Sequence, residues 1–113
     1  MRCEEELSRA RAVAVSQAFL LGRLDSVRTA WQLAALSYEI DGMEDDPDFL
    51  LMTAISSETD HLPLGHARQH WDPVALARKD EELADAAGYW NDQVRVSCER
   101  IVERFGPSVL GAS

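Results

Sequence analysis

The sequence predicts an all-α fold, a small helical bundle of about four helices with a long C-terminal helix. Three observations predict it. Apolar residues recur every three or four positions over most of the chain, the period of one helix face. Helix signals punctuate that pattern: Asp-Pro stands at Asp46-Pro47 and again at Asp72-Pro73, while Gly22 and Gly106-Pro107 fall where periodic stretches end. Along the last stretch the acids come first and the arginines later, the order the helix dipole favours.

In the first helix, Leu7, Ala10, Ala14, Leu21 and Leu24 share a phase, flanked by Val13 and Leu20, and form the expected buried face. Gly22 is the expected stop, because glycine accepts the left-handed conformation that ends helices. Asp25 or Ser26 then caps a second helix by accepting a hydrogen bond from its free amides. Its core face is expected to carry Val27, Trp31, Ala34, Ala35 and Tyr38. A link this short predicts an antiparallel hairpin.

Residues 41–48 read DGMEDDPD, five acids in eight positions, and predict a loop. Asp46-Pro47 closes it as a cap followed by a first-turn proline, whose missing N–H costs nothing there. A third helix follows to about Glu58. Its FLLMTAI run is apolar nearly all round, so it is expected to be the most buried element. A buried strand competes for this run, and the lack of flanking β-branched enrichment favours the helix.

Residues 59–65 (TDHLPLG) predict a turn, and residues 66–71 a short helical segment. After Asp72-Pro73, Leu76, Leu83, Ala87, Trp90, Val94, Cys98, Ile101 and Phe105 fall in one phase. An unbroken helix over 73–105 would be about 50 Å long. A compact domain of this size has a radius of gyration near ~13 Å, so a bend near Gly88 or a break near Asp80 is expected. Gly106-Pro107 is the expected stop. With no internal repeat or low-complexity tract, residues 1–113 are expected to form one domain, large enough to bury roughly two-thirds of the surface of its unfolded chain.

Charge narrows the function classes. Twenty acids against 11 bases give a formal charge of −9. Such a field repels phosphate backbones and anionic bilayers, so neither nucleic acid nor membrane is expected as a partner. It favours fast encounter with a basic protein. Residues 12–21 are apolar enough to suggest a signal-peptide core, but Glu4, Glu5 and Glu6 precede them where a basic segment belongs. Cys3 and Cys98 form no CxxC pair and read as two reduced thiols. The cytoplasm is the expected compartment.

Four constellations bear on chemistry. His66 and His70, four apart on a helical segment, have the spacing of a two-histidine metal site, with His61, Glu58, Asp60 and Asp72 nearby. HExxH fails, since Ala67 stands where the glutamate belongs, and turn and capping bonds explain such a cluster more simply. The acidic loop lacks the glycine among its acids, and the later glutamate, that a calcium loop needs. It reads as a solvated charge run first and as a binding face second. Ser56, Ser57, Ser97, Cys3 and Cys98 are candidate nucleophiles, yet none stands in a nucleophile elbow. Trp31 and Trp90 sit in apolar phase, as core residues do, whereas Trp71, just before Asp-Pro, can staple a turn or anchor an interface. No catalytic residue or cofactor is assigned.

Residues 46–83 resemble a group of small acidic bacterial proteins of undescribed biochemistry, most specifically over FLLMTAISSETDHLPLGHARQHW. Members of that group are often encoded beside secreted toxins and are taken to be their cognate immunity proteins. The resemblance covers about a third of the chain and supplies no catalytic residues. It implies a protein that binds a cognate toxin or another basic protein. On that reading Asp41, Glu44, Asp45, Asp46 and Asp48 meet the partner, with Glu58, Asp60 and Trp71 nearby. Two other classes compete: a metal-assisted hydrolase using His66, His70 and carboxylates, and a homo-oligomeric bundle paired through the long helix.

Overall fold

The computed structural model describes residues 2–109, with side chains described for 5–64 and 68–106. It is 78% helical, and the described residues include no strand. Helix α1 spans Arg2–Leu20, α2 Ser26–Ser37, α3 Pro47–Glu58 and α4 Pro73–Val109, with a 3-10 turn at Gly65–His70 between the last two. The α2–α4 pair lies at the centre, with α1 packed on both members and α3 packed on both.

The punctuation acts as the residues predict. Gly22 ends α1 at φ +76°, with Arg23 N–H closing on Ala18 O at 2.8 Å. Asp25 caps α2, its carboxylate accepting from Arg28 N–H at 2.7 Å. Asp46 caps α3 with Pro47 in its first turn. Asp72 does the same for α4, accepting from Val74 and Ala75 N–H.

The buried face of α1 is not the expected one. Leu7 and Leu21 are 57% and 68% exposed, and Ala14 is exposed between them. Ser8, Ala12, Val13, Ser16 and Phe19 turn inward instead. This helix carries two apolar stripes, and the one holding Phe19 buries the bulkier ring. Two serines interrupt that stripe and disguise it in the sequence. On α2, Val27, Ala34 and half-buried Trp31 face inward, but Ala35 and Tyr38 are exposed, and Ala30, Leu33 and Leu36 take their places.

Helix α3 is not buried all round either. Phe49, Met52 and Ile55 are fully buried at a spacing of three, while Leu50 is 47% exposed. One face against α2 and α4 is all the core requires.

Helix α4 runs without the expected break at Asp80, and its helical path continues past Gly88, Gly106 and Pro107 to Val109. The molecule lengthens to accommodate it: its extents are 52 × 28 × 24 Å and its radius of gyration is 14.8 Å. The phase of α4 follows the sequence, with Val94, Cys98, Ile101 and Phe105 in the main core. Leu83 joins a smaller cluster with Val27 and Leu62, backed by Trp31 and Leu64. Leu62 and Leu64, with the His61–Glu82 and Arg68–Asp80 contacts, thus meet the first half of α4. No helix among the described residues is long and apolar enough to cross a membrane.

Candidate partner-binding surface

The acidic loop divides into an inner and an outer set. Asp48, in the first turn of α3, is only 5% exposed. Its carboxylate accepts from Ser97 Oγ at 3.0 Å and from Arg100 Nη1 at 3.3 Å, and Arg104 Nη1 stands 3.5 Å away. Asp46 pairs with Arg104 at 2.8 Å while it caps the helix. Both acids therefore clamp α3 onto the C-terminal half of α4. Asp46 and Asp48 are thus already paired within the chain, and a carboxylate desolvated and paired has less to offer an incoming cation than an exposed one.

Asp41, Glu44 and Asp45 remain outside. Each is exposed, and none enters an ion pair with another described residue. The Asp41 backbone N–H donates to Glu5 at 3.1 Å, and Ser8 donates to Glu39 at 2.9 Å, which tie this end of the loop to α1.

Glu58 and Asp60 lie at the other end of α3, roughly 17 Å along its axis from the loop acids. The turn that carries them is anchored by Thr59. Its buried hydroxyl donates to Ile55 O at 2.7 Å and accepts from the Trp31 indole N–H at 2.8 Å. One residue past Asp60, His61 Nε2 meets Glu82 Oε1 at 2.9 Å. That contact ties the turn after α3 to α4, on which Glu81 and Asp85, either side of Glu82, are exposed. The sequence-predicted acids thus lie at the two ends of α3, and the second end is linked to α4 through Glu82, an acid that reads in the sequence only as dipole order. A contact between residues 21 apart leaves no trace in spacing.

Glu82 also receives Lys79 Nζ at 3.2 Å, and the hydrogen bonds from His61 and Lys79 hold its carboxyl below the ordinary range. Arg68 clasps Asp80 through two bonds of 2.7 and 3.0 Å, which lowers the Asp80 carboxyl and raises the guanidinium. With the Asp25–Arg28 pair these residues line an open cleft of about 540 Å³. Each arginine there is answered by an aspartate, so the cleft is close to self-neutral. Trp71 is half-buried at the end of the 3-10 turn, its N–H donating to Arg68 O.

His70 is exposed, and the side chain of His66 lies outside the described residues, as does that of Cys3. Among the described residues no three His, Cys, Asp or Glu side chains are grouped as metal ligands. Ser97 is occupied by Asp48, and Ser56 and Ser57 lie on the outer part of α3. Cys98 is fully buried, and desolvation pushes its thiol up to about 11, the neighbouring Ser16 hydroxyl opposing in part. A thiol that stays protonated is a poor nucleophile. No family model, curated protein or solved structure matches the chain.

Proposed function

We propose that this chain is a protein-binding module, an immunity protein that neutralises a cognate bacterial toxin in the cytoplasm by direct contact through an acidic surface. One observation supports the reading most. Arg9, Arg28, Arg68, Lys79, Arg100 and Arg104 are all paired with carboxylates of their own chain. Asp41, Glu44, Asp45, Glu58, Asp60, Glu81 and Asp85 are exposed without such a pair among the described residues. These pairs offset one another at the surface; Arg11, Arg23, Arg78 and Arg95 are exposed without such a pair among the described residues, yet the net charge of −9 leaves the outer field negative. A field of that sign steers a basic protein into contact and repels nucleic acid.

Affinity capture from a lysate of the source organism, washed with rising salt, tests it. The expected result is one stoichiometric partner with a basic domain, eluting as salt rises. Glu44→Lys/Asp45→Lys and Glu81→Lys/Asp85→Lys then separate the loop acids from those of α4. Reversal in the binding patch is expected to weaken association by at least about tenfold at low salt. Affinity and salt dependence unchanged in both variants would sink the acidic-surface reading.

A further inference from the structure

The face of α1 turned away from the core is apolar and uncovered. Leu7, Ala14 and Leu21 are exposed on it at intervals of seven, the spacing that returns a helix to the same side after two turns. Ala10 and Ala18, half-buried, flank Ala14. Leu21 N–H still closes on Gln17 O at 2.9 Å, so the helical path holds to that leucine. Alongside, a groove of about 330 Å³ runs between α1 and α2, lined by Ala14, Val15, Ala35 and Leu36 and edged by Arg11 and Gln32.

An exposed leucine alone is ordinary. The order of residues here is not. About Ala14 the stripe reads alike in both directions: Leu7 mirrors Leu21, and Ala10 mirrors Ala18. A face with that symmetry complements itself in an antiparallel two-fold pair, where each residue meets its mirror image. Alanines at the centre let two helices approach at the short end of ordinary interaxial distances.

Charge selects the same occupant and direction. Glu6 near the start of α1 and Arg23 just past its end are both exposed, and neither is ion-paired among the described residues. An antiparallel pair brings Glu6 of one copy to the end of α1 that carries Arg23 in the other. A parallel pair would set like charge against like. Antiparallel helices also align their dipoles favourably.

We propose that two copies of this chain pair through the outer face of α1, with Ala14 on the two-fold axis and the α1–α2 groove edging the contact. The interface lies across the α2–α4 pair from α3, so α3 and the acids at its C-terminal end stay open. The pairing is independent of the toxin-binding reading.

Sedimentation velocity over a wide concentration range tests it. The full chain is expected to pass from monomer to dimer as concentration rises. Ala14→Glu, at an exposed position that keeps the fold by circular dichroism, sets two carboxylates on the axis and is expected to weaken the dimer at least about tenfold. Glu6→Arg weakens it as well, and adding Arg23→Glu restores it. In a Cys3→Ser background, Ala14→Cys gives a disulfide-linked dimer on mild oxidation, whereas Val96→Cys on α4 does not. A chain monomeric at every concentration overturns the proposal. So does a dimer that Ala14→Glu leaves intact, or a charge swap that fails to restore.

Discussion

Arg104 Nη1 lies 2.8 Å from Asp46 Oδ1 and 3.5 Å from Asp48 Oδ2, so one guanidinium near the end of α4 holds both acids that open α3. The same arginine lies over the Phe105 ring at 5.3 Å, and Phe105 in turn meets Phe49 at 6.4 Å between centroids. Polar and apolar contacts thus close the same junction.

Asp48→Ala is expected to destabilise the fold by about 2 kcal/mol, because it strands Ser97 and leaves two arginines facing a lost partner. The figure sits below that for a fully buried pair because Arg100 is 60% exposed. Asp45→Ala, an exposed acid three residues away, is expected to change stability by less than ~0.5 kcal/mol. Urea midpoints of the two variants check this, and equal losses would refute the division of the loop.

Ile55→Ala is expected to cost about 3 kcal/mol, the range for emptying a fully buried aliphatic site. Leu50→Ala, on the 47% exposed side of the same helix, is expected to cost less than ~1 kcal/mol. The contrast, read by thermal or urea unfolding, measures how narrow the buried stripe of α3 is.

Raising the pH is expected to weaken the fold through Cys98. Its folded thiol ionises near 11, against an ordinary value of 9.0. Above 9.0 the unfolded chain loses this proton while the folded chain keeps it, so stability falls between those two values and levels off beyond. The drop is roughly 3 kcal/mol. Cys98→Ala removes that slope from the pH profile. In a Cys3→Ser background the native protein is expected to resist a thiol reagent until it is unfolded.

On the acid side the sign reverses. Asp80 and Glu82 have lowered pKa values in the folded state, so their stabilisation is present above their ordinary values of 3.8 and 4.5 and is lost as pH falls through the folded ones. Both clasp the segment 59–72. Taken against the intrinsic exchange rate at each pH, amide protection in that segment is expected to fall on acidification before the amides of α3 and the C-terminal half of α4 respond. Asp80→Asn with Glu82→Gln should give the lowered protection already at neutral pH.

Much of the fold could be read from residues whose effect is local. Asp25, Asp46 and Asp72 cap the helices they precede, Gly22 ends α1, and the inward phase of α4 from Leu83 to Phe105 follows its apolar spacing. What escaped depends on distance in sequence. Asp48 reads as one more solvated acid until Ser97 and Arg100, 49 and 52 residues on, are brought to it. Nothing in α1 alone says which of its two stripes turns inward, because α4 makes that choice. The break expected in α4 came from treating the domain as a sphere, whereas the molecule is elongated and Leu62, His61 and Arg68 meet the first half of that helix. Of the candidate surface, Asp41, Glu44, Asp45, Glu58 and Asp60 are exposed, and the polar link from the turn after α3 to α4 is made through His61–Glu82.

The position of the core residues on α4 has a consequence for biosynthesis. Val94, Cys98, Ile101 and Phe105 cover the apolar sides of α1 and α3, yet they are translated after both. A ribosome makes the amino end first, so three helices leave the exit tunnel before the wall that will shelter them exists. Closure must wait for Ser97, Arg100 and Arg104. Until then the nascent chain offers Phe19, Phe49 and Met52 to any chaperone within reach, and a transcript cut short before codon 94 would yield a product fit mainly for degradation.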